Sequence, residues 1–138
     1  MNDDVIRQIL TTSDVIATVG LSANPAKTSH GVAQYLIKQG YDVIPVNPGV
    51  DEIFGRKAYP DLISIPRKID VVQIFRPSSD VPPIVDQAIQ IGAKVVWMQE
   101  GITNPEAAET ARAAGLQVVM DRCMRQEHIR LVGHIMDM

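Results

Sequence analysis

The stretch Val15-Ile16-Ala17-Thr18-Val19-Gly20-Leu21-Ser22-Ala23-Asn24-Pro25-Ala26-Lys27-Thr28-Ser29-His30-Gly31 decides how this chain folds. It opens on a short run rich in β-branched residues, turns at Gly20, and crosses a loop of small and polar residues. An apolar stripe of Val32, Ala33, Leu36 and Ile37 follows at helical spacing and stops at Gly40. The unit is strand, loop, helix. Nearly continuous apolar character marks a strand covered on both faces, as in parallel sheets.

The unit recurs in Val43-Ile44-Pro45-Val46, Val71-Val72-Gln73-Ile74-Phe75, Val95-Val96-Trp97-Met98 and Val118-Val119-Met120, with starts about 23–28 residues apart. That spacing holds the crossover helix each parallel pair requires. Ile84, Val85, Ala88 and Ile89 form one helical stripe, opened by Ser79-Asp80. Thr103-Asn104-Pro105-Glu106 opens another, through Ala107, Ala108, Ala111 and Ala114. Val5, Ile6, Ile9 and Leu10 give a leading helix. A last one spans about 125–136, with His128, Leu131, Val132 and Ile135 on one side. Residues from Pro48 to Lys68 read as loop and short helix. The pattern predicts an α/β, Rossmann-like, doubly wound and mostly parallel five-stranded sheet with helices on both faces, as one domain over residues 1–138.

Composition narrows the function. Thirteen Lys and Arg against sixteen Asp and Glu give a net charge of −3, which argues against a nucleic-acid binder. A lone cysteine excludes an internal disulfide and favours a reducing, cytoplasmic setting. No apolar run approaches a membrane span, and the acidic start Met1-Asn2-Asp3-Asp4 lacks a signal peptide's pattern.

In such sheets ligands lie outside the carboxyl ends of the strands. The loop from Gly20 to Gly31 carries the hydroxyls of Ser22, Thr28 and Ser29, with Lys27 and His30 beside them, and leads to a helix N-terminus suited to phosphate. No acid occurs between Asp14 and Asp42. The plain alternative is an ordinary connection capped by Ser29. Gly20-Leu21-Ser22 departs from the dinucleotide fingerprint, and Pro45-Val46-Asn47-Pro48 has no carboxylate for the ribose hydroxyls, so NAD is disfavoured. Phe75-Arg76-Pro77 offers a planar cation for phosphate, or an ion pair with Asp70 or Asp80. Gln99-Glu100-Gly101 turns beside the same cleft, and Trp97 reads as core.

Together with Asp121-Arg122-Cys123, these motifs make the chain resemble the CoA-binding domain family, small proteins related to the N-terminal domain of the succinyl-CoA synthetase alpha subunit. The resemblance implies coenzyme A as the ligand. Gly20 and Ser22 with the following loop would face its phosphates, Asn47 and Pro48 its nucleotide. Phe75, Arg76 and Pro77 would form the opposite wall, and Gln99, Glu100 and Gly101 would follow the pantetheine arm. The synthetase has a Lys where Gly49 and Val50 stand here, so Lys27, Arg56 and Lys57 are candidates for the ribose phosphate.

No catalytic constellation is legible. Cys123, between Arg122 and Arg125, reads as a structural thiol or as one that forms a mixed disulfide with CoA. His30, His128 and His134 lack metal-site spacing with it; His30 is a candidate anion donor or acid–base group. The expected role is non-catalytic binding or sensing of CoA or an acyl-CoA. Alternatives are an NAD(P)- or acyl-CoA-using enzyme and a subunit of a split acyl-CoA ligase. A homodimer through a sheet edge or the last helix, or another protein partner, stays open.

Overall fold

The computed structural model describes residues 1–133; His134 and Ile135, expected on the last helix, lie outside the described residues. The elements run α1 (Asp3–Thr12), β1 (Val15–Val19), α2 (Thr28–Lys38), β2 (Asp42–Val46), β3 (Glu52–Ile53), β4 (Arg56–Lys57) and β5 (Val71–Ile74). A 3-10 turn at Ser78–Asp80 leads into α3 (Val81–Gln90), followed by β6 (Val95–Met98), α4 (Pro105–Ala113), β7 (Gln117–Val119) and α5 (Met124–Leu131). Five strands form one parallel sheet in the order β2-β1-β5-β6-β7.

Alternation along the strands divides the interior into two cores. Ile16, Val43, Val71 and Trp97 face α1, α2 and α5, against Ile6, Leu36 and Met124. Ala17, Ile44, Val72, Val96 and Val118 face α3 and α4, against Val85, Ala88, Ala108 and Ala111. Both sheet faces are thus covered, which is why the strands read as continuous apolar runs. Trp97 is fully buried, and its indole N–H donates to the Arg122 carbonyl at 2.7 Å.

Local chemistry sets the helix starts. Asn2 and Asn104 cap α1 and α4, accepting the N–H of Val5 at 2.9 Å and of Ala107 at 3.0 Å. Pro82 and Pro83 sit in the first turn of α3, where a missing N–H costs no helical bond.

Three expectations need correction. The segment from Pro48 to Lys68 contains an antiparallel hairpin, β3–β4, with Glu52 opposite Lys57 and Ile53 opposite Arg56. Phe54 and Gly55 turn it with φ of 57° and 71°, the handedness of a tight hairpin turn; strands this short leave no readable periodicity. The last strand begins at Gln117 and ends at Val119, before Met120. Asp80 does not cap α3, because its carboxylate faces Arg76.

The amino ends of the strands are closed by Asp70. Its carboxylate accepts the N–H groups of Asp14 at 2.9 Å and Val15 at 3.0 Å, with the Lys94 ammonium at 3.6 Å. Burial alone would raise its pKa, but these N–H bonds and Lys94 outweigh burial and hold it below the usual range.

Candidate functional site

Strand order reverses between β1 and β5, so the crevice at their carboxyl ends is the switch point where doubly wound sheets take ligands. Two cavities open there. The first, about 460 Å³, is lined by Gly20, Val46, Asn47, Pro48, Arg76 and Ile84 among others. The second, about 400 Å³, is lined by Thr28, Phe75, Arg76, Gln99, Ile102 and Cys123 among others. Each falls within the roughly 300–1,000 Å³ common for small-molecule sites. Arg76 belongs to both walls.

Gly20 makes the join possible. Its φ is 87°, and a Cβ there would lie 2.6 Å from the Phe75 carbonyl oxygen. The β1 and β5 ends therefore touch backbone to backbone, and only glycine permits that approach.

The N-terminus of α2 faces the same crevice through Thr28. Unlike α1 and α4, this helix has no side-chain cap and no acid in its first turn. The N–H groups of Thr28 and Ser29 make no hydrogen bond among the described residues. Ser29 is buried, and its hydroxyl accepts the Ser22 N–H at 3.0 Å instead of capping the helix. His30 Nδ1 lies 2.9 Å from the Ser22 carbonyl. A carbonyl only accepts, so Nδ1 carries the proton and Nε2 of the neutral ring is left as an acceptor. The His30 ring also packs on Phe54, with centroids 4.3 Å apart. Ser22 and Asn24 complete the loop by accepting the N–H groups of Asn24 and Ala26, each at 3.0 Å.

Asn47 has a role that its sequence position did not reveal. Its Nδ2 donates to the Leu21 carbonyl at 2.9 Å and its Oδ1 accepts the Gly49 N–H at 2.8 Å, so it ties the β1 and β2 loops together. Pro48 lies beside it in the first cavity. Arg76 pairs with Asp80 at 2.9 Å, the ion-pair alternative raised by the sequence, yet the two side chains are 51% and 44% exposed. Such a pair is weakly held, and a phosphate can compete for the guanidinium.

The remaining candidates divide. Gln99 is buried, Glu100 is exposed, and the Gly101 N–H donates to Asp121 Oδ1 at 2.6 Å, joining the ends of β6 and β7. Pro77 lines the second cavity. Lys27 is exposed at the start of α2. Arg56 and Lys57 lie along the β2 edge, where Arg56 bonds Asp42 at 3.0 Å and Lys57 sits over the Tyr59 ring at 5.1 Å. Neither lines the crevice cavities. Cys123, open in the sequence between a structural thiol and a partner for the CoA thiol, is buried and lines the second cavity. Thr18 and Gln73 carry no mark in the sequence beyond a glutamine inside the apolar run Val71-Val72-Gln73-Ile74. His128 is a satisfied core residue, 2.7 Å from the Tyr35 hydroxyl. Among the described residues no three His, Cys, Asp or Glu side chains group as metal ligands would, and no described helix is long and apolar enough to cross a membrane.

Fold and crevice together define a doubly wound α/β protein with two cavities at the carboxyl ends of its strands. The family model described as a CoA binding domain matches residues 14–129, and the chain belongs to that family. It is 41% identical over 123 residues to the Bacillus subtilis protein YneT, covering 89% of this chain and 91% of that one. A solved structure of a hypothetical protein from Pyrococcus horikoshii is 47% identical, with a TM-score of 0.94 over 96% of this chain and 94% of that one. The alpha subunit of an ADP-forming acetate–CoA ligase I from Pyrococcus furiosus is 32% identical over 120 residues, matching 75% of this chain but only 26% of the subunit.

Proposed function

We propose that this chain binds coenzyme A, or an acyl-CoA, across the carboxyl ends of its strands, as a single non-catalytic binding or sensor domain acting in the cytoplasm. One observation carries the reading: two cavities of about 460 and 400 Å³ share Arg76 beside Gly20, next to the uncapped start of α2. Coenzyme A has a nucleotide at one end, a diphosphate in the middle and a pantetheine arm at the other. Two compartments separated by a cation and open N–H donors match that order of parts.

In this reading the adenosine lies in the first cavity, against Val46 and Pro48 beside the Asn47 tie. The phosphates meet Gly20, Ser22 and the amides of Thr28 and Ser29, with Arg76 released from Asp80. His30 adds a donor only when its ring is protonated. The pantetheine arm follows Phe75, Pro77, Gln99, Glu100 and Gly101 into the second cavity. Of the three candidate cations for the ribose phosphate, Lys27 makes no ion pair among the described residues, whereas Arg56 and Lys57 are engaged at the β2 edge.

Isothermal titration with CoA, acetyl-CoA, NAD and NADP tests the proposal. One site for CoA and no heat with NAD is the expected result. Binding of NAD without CoA affinity would overturn it in favour of a dinucleotide enzyme. A second reading, a subunit of a split acyl-CoA ligase, is favoured by the 32% identity to a ligase alpha subunit. Stoichiometric co-purification with a nucleotide-binding partner would support that version.

A further inference from the structure

Three polar side chains cross the sheet beside the second cavity. Thr18 on β1, Gln73 on β5 and Gln99 just past β6 are 0%, 0% and 3% exposed. Thr18 and Gln73 are register partners, and the Thr18 hydroxyl donates to Gln73 Oε1 at 2.8 Å. Gln73 Nε2 donates to Gln99 Oε1 at 3.1 Å, and the same oxygen accepts the Met124 N–H, the first amide of α5, at 3.0 Å. A peptide N–H can only donate. The atom facing Met124 must therefore be the carboxamide oxygen, which locks Gln99 in one orientation.

The consequence is a donor left over. Gln99 Nε2 makes no hydrogen bond among the described residues. Yet among the described residues no side-chain nitrogen or oxygen fully sealed from solvent lacks a partner. The nitrogen therefore opens onto the cavity that Gln99 lines with Phe75, Ile102 and Cys123. A side chain this buried ordinarily has its polar atoms satisfied; here one end is satisfied twice and the other is held toward the cavity.

We propose that Gln99 Nε2 is a fixed hydrogen-bond donor for a carbonyl oxygen on the distal arm of CoA. The inference deepens the CoA reading and rests on it. The arm carries carbonyls of one chemistry from two sources, the pantetheine amides and the thioester of an acyl group. Because Gln73 and Met124 fix the carboxamide before the ligand arrives, the donor needs no reorganisation on binding.

Gln99→Glu tests this. It keeps an oxygen for Gln73 and Met124 and nearly preserves size, but it adds a carboxylate. The uncharged Gln99→Met is therefore titrated beside it, and only a loss shared by both variants is read as loss of the donor. Titrations compare CoA, acetyl-CoA and S-ethyl-CoA, the last matching acetyl-CoA without the thioester carbonyl. About a tenfold loss for all three ligands in both variants assigns the donor to a pantetheine amide. A loss confined to acetyl-CoA, with wild-type protein preferring acetyl- over ethyl-CoA, assigns it to the thioester. Affinities within twofold of wild type for every ligand in either variant overturn the inference while leaving CoA binding intact. Absence of any CoA binding by the wild-type protein overturns the underlying reading instead. Should either variant fail to fold, the ¹⁵N side-chain amide signal of Gln99 in the wild-type protein decides. It shifts on saturation with CoA or acetyl-CoA if the donor is used and stays in place if it is not.

Discussion

At the amino ends of the strands, the Asp70 carboxylate takes up the N–H groups of Asp14 and Val15 and faces Lys94. At the carboxyl ends, the N–H groups of Thr28 and Ser29 and the Gln99 amide nitrogen meet no acceptor in the described chain. One end has supplied its own anion and is complete. The other has donors and a loosely tethered Arg76; of the two acids that line its cavities, Asp80 is already paired with that arginine and Glu100 is exposed. The contrast teaches that the proposed anion site is marked less by its cations than by donors that the described chain leaves unsatisfied.

The strongest way to break this contrast is at Gly20. Gly20→Ala puts a Cβ 2.6 Å from the Phe75 carbonyl at a φ of 87°. We expect a loss of roughly 2–4 kcal/mol in urea unfolding and loss of CoA binding. Wild-type stability and affinity in this variant would refute the backbone contact as the basis of the join.

Asp70→Asn attacks the closed end. It should cost about 1–3 kcal/mol at neutral pH and leave ligand affinity unchanged. The folded-state pKa of Asp70 is depressed, so its stabilisation is present above the unfolded carboxylate value, near ~3.9. It disappears as pH falls through the lower folded value. The stability gap between wild type and variant, followed by denaturation across pH, should therefore close in acid; a gap independent of pH would count against the assignment.

Arg76→Ala separates stability from binding. Both members of its ion pair are about half exposed, so unfolding should change by less than about 0.5 kcal/mol. CoA affinity should fall about tenfold, with weaker dependence on salt. Equal affinity by calorimetry would remove Arg76 from the site. The smallest effect is expected from Asp80→Asn, which frees Arg76 without removing it. Affinity should then rise a few-fold, and a fall would show that Asp80 positions the guanidinium.

Much of the architecture was legible. Val15–Val19, Val71–Ile74 and Val95–Met98 are nearly unbroken apolar strands because α1, α2 and α5 cover one face and α3 and α4 the other. Asn104 and Pro105 announced α4 because capping is chemistry between residues three apart. The β3–β4 hairpin was hidden, since two-residue strands have no period to read. In the crevice, Gly20, Arg76 and Gln99 were marked by their places after strands. Asn47 was legible as a crevice residue but its tie to Leu21 was not, because that partner lies 26 residues away in another loop.

By itself the sequence determined the alternation of strands and helices, the acid-free stretch from Val15 to Tyr41 and the placing of candidate residues at strand ends. Those properties depend on period, composition and neighbours along the chain. Only the tertiary structure decided which polar groups are spent and which remain. Asp80 takes Arg76, Asp42 takes Arg56, and the Met124 amide, 25 residues beyond Gln99, turns its carboxamide so that the nitrogen is left free. A hydrogen bond is settled by distance and direction in space, and partners far apart in the chain leave no spacing in the sequence to announce them.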